Sequence, residues 1–248
     1  MAENSEHNFN EMSLGDHLED LRRRVILALL GFAVVLTICL FFSKFFLSFM
    51  AQPYFAAVGQ NTDARLQAIT LPEKFTVYLK TAMLFSVIFS SPWVFYQLWK
   101  FISAGLYANE KKYVYIIVPA CTGLFVAGAL FYLFIVAPMV ISFFIGFDTG
   151  IKFLTTQVTL QSYISFMISM TLIFGLCFQM PLAIIAANRI GIVSTENLKK
   201  ARKYVLLVIF FIAAIMTPPD VISQIALAVP MYILFELGVL FSRRTGKG

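Results

Sequence analysis

Arg24-Val-Ile-Leu-Ala-Leu-Leu-Gly-Phe-Ala-Val-Val-Leu-Thr-Ile-Cys-Leu-Phe-Phe42 runs for eighteen residues beyond its arginine without a charge. A helix of that length rises about 27 Å, close to the ~30 Å hydrocarbon core of a bilayer. Similar runs follow over residues 74–98, 113–135, 161–187, 204–217 and 221–241. The whole chain is 60% hydrophobic and only 13% charged, where a soluble domain carries about 25% charged residues. The runs are continuous rather than alternating, which favours helices over a transmembrane barrel. The expected fold is an all-α polytopic membrane protein with six transmembrane helices, spanning one domain over residues 13–242. A flexible polar stretch, 1–12, precedes it and a short basic tail, 243–248, follows.

Outward from the first run, Ser13-Leu-Gly-Asp16 resembles a capping box, and Leu14, Leu18, Leu21 and Val25 recur at helical spacing. An amphipathic helix is expected to lead into the first span, which is too long for a signal-peptide core. Residues 44–73, with Pro53, Gly59 and Asn61, read as a long irregular connection in which Pro53 marks a turn. Residues 137–158 and 188–203 read as further loops. The last two spans read as short. Pro218-Pro219 stops the first at about 14 residues, and Pro230 and Glu236 interrupt the second.

Lys and Arg are unevenly shared among the connections. Counting alternate segments from the N-terminus puts fourteen of the nineteen on one side. Positive charge marks the cytoplasmic side, so both termini are expected there. The same distribution argues against nucleic acid as the partner of a chain with net charge +6, because the basic residues flank apolar runs.

No phosphate-binding glycine loop, HExxH or metal-ligand spacing is present, and the only histidines, His7 and His17, precede the first span. Neither an enzyme nor a cofactor or metal is expected. The cysteines, Cys39, Cys121 and Cys177, lie inside apolar runs with no pairing pattern and read as small packing residues. A solute transporter would carry paired intramembrane charges. The spans offer only Lys80 and Glu236, with no evident pair, and no internal repeat.

Four clusters hold the remaining polar chemistry. In His17-Leu-Glu-Asp-Leu-Arg22, Glu19 and Asp20 lie four residues before Arg23 and Arg24. That spacing suits helix-stabilising ion pairs as well as a carboxylate offered to a cationic partner. Phe101-Ile-Ser-Ala-Gly-Leu-Tyr-Ala-Asn-Glu110 carries the only acid of a short loop. Glu110 either balances Lys111 and Lys112 or receives a guanidinium. Phe178-Gln179-Met180-Pro181 sets an amide and a proline at membrane depth, fit to bind a neighbouring span or a partner helix. In Thr217-Pro218-Pro219-Asp220, Asp220 reads as a cap for the last helix.

In this order, the clusters resemble TatC, the polytopic subunit of the twin-arginine protein translocase. Pro230-Met-Tyr232 and Phe235-Glu236 extend the likeness, which covers nearly the whole chain after Ser13. The resemblance implies a receptor in the bacterial cytoplasmic (inner) membrane for folded precursors whose signal peptides carry two adjacent arginines. It implies export driven by the proton gradient in a multimeric complex, within membrane lipid, with single-span TatA- and TatB-type partners. The implied signal-peptide site is Asp20 and Glu110, with Glu19, Arg22, Phe101 and Asn109 beside them. Gln179, Met180 and Pro181 are implied as the partner-helix site. The family's usual Glu is Asp at position 20, one methylene shorter, and its frequent Glu is Gln at position 179, which keeps hydrogen bonding but not ionic pairing.

Overall fold

Apart from an isolated bridge between Gln67 and Thr159, all regular structure among the described residues is helical. The computed structural model describes residues 14–59, 66–104, 114–146, 158–189, 193–216 and 221–245. Among the described residues, five helical stretches are long and apolar enough to cross a membrane: Leu18–Phe41, Glu73–Ile102, Ile116–Gly146, Leu160–Asn188 and Val221–Ser242.

Helix α1, Leu14–Phe41, runs unbroken from the amphipathic start through the first span. It lies along α3, Glu73–Ala104. The contact is set by Gly31, where a Cβ would collide with the Trp93 indole, and by Trp93 Nε1, which donates 2.9 Å to the Leu27 carbonyl. Helices in lipid associate through close packing and hydrogen bonds rather than through apolar burial, which explains a glycine facing a large ring.

The first half of the connection expected over 44–73 is instead helix α2, Ser43–Val58. Pro53 therefore stands inside a helix and marks no turn. The apolar run from Phe45 to Met50 decides the matter. It buries Phe46 and Met50 together with Tyr54, stacks Phe46 on Phe85 at 4.1 Å, and receives the Tyr163 hydroxyl on the Met50 carbonyl at 2.7 Å.

Prolines shape the long helices, and the chain compensates for them. Pro92 has no N–H for the Ile88 carbonyl, and the Ser91 hydroxyl supplies a 2.7 Å bond to that oxygen instead. Helix α4, Val114–Phe131, opens into a π turn over Tyr132–Val136, where Ala137 N–H donates to the Tyr132 carbonyl. Pro138 follows at once, and the wider turn absorbs its ring. The chain then continues as α5, Ala137–Gly146, so the first ten residues of the loop expected over 137–158 are helical.

Helix α6, Leu160–Cys177, starts on a Thr159 cap, whose hydroxyl accepts from Ser162 N–H at 3.2 Å. It breaks at Phe178 and Gln179, because Pro181 offers no donor to the Cys177 carbonyl. Helix α7, Met180–Arg189, completes this span. The basic stretch that follows is not wholly loop: Ser194 caps a short helix α8, Thr195–Lys200.

Helix α9, Arg202–Met216, has 15 residues and rises only ~22 Å. A short helix is what the sequence leads one to expect over 204–217. The last helix, expected to be short as well, is not. Helix α10, Val221–Thr245, has 25 residues and rises ~37 Å. It passes through Pro230 without a break, as transmembrane helices do when neighbours cover the freed carbonyl, and Glu236 within it is paired. The core, formed chiefly from α2, α3, the π turn with α5, α6 and α10, buries Met50, Leu84, Tyr132, Ile164, Met167, Phe174 and Leu227.

Candidate functional site

The N-terminal part of α1 and the C-terminal part of α3 run antiparallel and enclose a groove of about 450 Å³. Its walls are almost entirely apolar. Leu21, Val25, Leu29 and Phe32 come from α1, and Val94, Leu98 and Phe101 from α3. Besides Arg24, Ser90, Ser91 and Gln97 supply the few polar groups, and the buried Ser90 hydroxyl has no partner among the described residues.

Arg24 lines this groove and ties it to the first acidic cluster. Its Nε donates to Asp20 Oδ2 at 2.9 Å, with the two side chains 17% and 19% exposed. The i,i+4 pairing anticipated from spacing is therefore made by Asp20 and Arg24. Glu19, Arg22 and Arg23 are exposed and form no ion pair among the described residues. Phe101 is partly buried on the opposite wall. Asn109 and Glu110 lie outside the described residues, as do Pro218, Pro219 and Asp220.

The third cluster is built at the break between α6 and α7. Gln179 is partly buried, and its Nε2 donates 2.9 Å to the Cys121 carbonyl of α4. The Cys121 thiol accepts in turn from Trp99 Nε1 of α3 at 3.2 Å. Gln179 thus joins three helices within the chain. Met180 is partly buried, whereas Pro181 is buried, and a Cβ on Gly238 of α10 would lie 3.1 Å from its Cα. Gly128 permits similar closeness on the neighbouring face, where a Cβ would lie 2.7 Å from the Phe174 carbonyl.

Two polar ties were not read from sequence. Glu73, only 3% exposed, accepts from Ile69 N–H at 2.7 Å and Thr70 N–H at 3.1 Å through one oxygen. Its other oxygen accepts from Gln161 N–H at 2.8 Å. One carboxylate so fastens the starts of α3 and α6. The signal was present: Thr70-Leu-Pro-Glu73 has capping-box spacing. Glu236, expected to be unpaired, accepts from Arg202 Nη2 at 2.8 Å and from the Tyr232 hydroxyl at 3.2 Å. No local pattern could have found a partner 34 residues away. Lys80, the other charge within a span, meets the Ser165 hydroxyl at 3.3 Å.

The profile of the family described as Sec-independent protein translocase protein (TatC) matches residues 16–230. The Desulforapulum autotrophicum protein of that name is 37% identical over 232 residues, covering 94% of this chain and 84% of its own length. Its Escherichia coli K12 counterpart is 34% identical over 233 residues, with 94% and 89% covered. The crystal structure titled Twin Arginine Translocase Receptor- TatC superimposes with a TM-score of 0.78 at 29% identity, covering 92% of this chain and 98% of that one. A second crystal structure of that receptor, in DDM, gives 0.80, with 91% and 99% covered. With a family profile matching most of the length and relatives above 30% identity along nearly all of it, the chain belongs to the TatC family of Sec-independent protein translocase proteins.

Proposed function

We propose that this chain is the receptor subunit of its translocase, binding twin-arginine signal peptides through Asp20 and Glu110. The observation that carries the reading is the position of Asp20. It is a part-buried carboxylate beside an apolar groove whose far wall ends at Phe101, shortly before the segment that holds Asn109 and Glu110. A guanidinium gains most from a carboxylate where water is scarce, and an adjoining groove suits the apolar residues of a signal peptide. Glu19 and Arg22 are exposed on the same helical turn and would set the local charge.

The chain sits in the bacterial cytoplasmic membrane with both termini inside, a reading supported by the Lys and Arg distribution. It assembles TatA- and TatB-type single-span subunits, with Gln179 as the polar contact and Met180 packing beside it. Gln179 spends one N–H on Cys121, and its amide has further capacity for a partner helix. Transport draws on the proton gradient.

Site-specific crosslinking of a twin-arginine signal to the segment 105–113 tests the receptor role. Glu110→Gln should abolish the crosslink while the protein still inserts. An undiminished crosslink would remove Glu110 from the site.

A further inference from the structure

We infer that Arg24 is a built-in competitor for the guanidinium groups that Asp20 receives, so that the receptor carboxylate is occupied until a stronger cationic ligand displaces it. The inference rests on the reading of Asp20 as part of the signal-peptide site. The Arg24 Nε to Asp20 Oδ2 distance is 2.9 Å, and the only other ion pair among the described residues is Arg202–Glu236. An Asp–Arg pair at i,i+4 on an open helical face would be a minor helix support. This one differs in its surroundings. Both side chains are more than four-fifths covered, and the arginine lines the groove together with Leu21 and Phe101. A pair in so dry a setting is weakly screened, so an incoming cation meets a filled site.

A guanidinium replaces Arg24 like for like and can bind bidentately, whereas an ammonium is a strongly hydrated point charge without that fork. The internal competitor weakens both by the same factor, the fraction of Asp20 left free, so it lowers affinity without changing the preference for arginine. When Arg24 leaves Asp20, it also vacates part of the wall it now shares with Leu21 and Val25. Arg23 serves as the internal control. It carries the same charge one residue away, but it is exposed and makes no ion pair among the described residues.

The test is equilibrium binding of a fluorescent protein carrying a twin-arginine signal to the full-length chain in nanodiscs, comparing Arg24→Gln, Arg23→Gln, Asp20→Asn and the double variant D20N/R24Q. Arg24→Gln should tighten binding by roughly two- to fivefold, Arg23→Gln should change it less, and the double variant should bind no tighter than Asp20→Asn alone. The ratio of Arg-Arg to Lys-Lys signal affinity should stay the same in Arg24→Gln, because one competitor weakens both ligands equally. Equal effects of Arg24→Gln and Arg23→Gln, or weaker binding by Arg24→Gln, would overturn the competitor role while a binding loss in Asp20→Asn leaves the Asp20 reading standing. Unchanged binding in Asp20→Asn would overturn both.

Discussion

Arg202, the first residue of α9, holds the Glu236 carboxylate of α10 at 2.8 Å, and the Tyr232 hydroxyl holds its other oxygen at 3.2 Å. The pair fixes the start of a helix too short to cross a bilayer comfortably against one that crosses it with length to spare. With the side chains 47% and 32% exposed, its contribution is that of a largely solvated pair, at most about 1 kcal/mol. Glu236→Gln or Arg202→Gln should lower thermal stability in detergent by that modest amount. The exchange variant R202E/E236R should recover part of it. A loss no smaller in the exchange variant would show that charge pairing is not what matters there.

The Gly31–Trp93 contact predicts a larger effect. Gly31→Val must push the indole out of its notch and cost Trp93 its bond to the Leu27 carbonyl. Overpacking of this kind costs about 1–3 kcal/mol. Thermal unfolding should show the loss, and Trp93 emission should shift. Gly123→Val, placed where a Cβ meets nothing within 4 Å, should leave stability near that of the unaltered chain.

Glu73 makes a separate prediction at the other end of α3. Its oxygens face three backbone N–H groups, and an amide would present a donor to at least one of them. Glu73→Gln should lower the unfolding temperature and expose residues 66–72 to protease, whereas Lys74→Gln, at the exposed neighbouring position, should do neither. Equal protease resistance in the two variants would remove Glu73 from its fastening role.

Much of this architecture can be read from the chain, and the misreadings share a cause. Long uncharged runs located the membrane helices because hydropathy depends on composition alone. A proline in the sequence does not by itself stop a membrane helix. Pro53 and Pro230 lie within helices, and Ser91 repairs the bond that Pro92 removes. Tertiary neighbours decide whether a proline ends a helix, and a single sequence does not display them. The Asp20–Arg24 pair followed from i,i+4 spacing, whereas Arg202–Glu236 and Gln179–Cys121 span too much chain for any local rule. Of the signal-peptide candidates, Phe101 lines the groove and Asp20 is tied to it through Arg24, a relation that required the packing of α1 on α3.

Gln179 separates partner assembly from signal binding. Gln179→Leu removes the donor from the Cys121 carbonyl, a loss of about 1 kcal/mol within the chain. It should weaken copurification of single-span partners more than binding of a twin-arginine signal. Equal loss of both would mean that the substitution acts through misfolding.

Orientation is open to direct chemical mapping. In a variant with Cys39, Cys121 and Cys177 replaced by alanine, a cysteine introduced at exposed Glu196 should react with an impermeant maleimide only after the membrane is opened. One introduced at exposed Gln67 should react in intact spheroplasts. The reverse pattern would invert the topology and remove Asp20 from the cytoplasmic face.

The receptor role is tested most directly by copurifying a twin-arginine precursor with the full-length chain from membranes, with Glu110 intact and with Glu110→Gln. The account predicts that the precursor is retained by the unaltered chain and that its affinity falls more than about tenfold in the variant, as expected for loss of a charge-assisted contact. Equal retention of the precursor by both proteins, each shown to be inserted and folded, would contradict it.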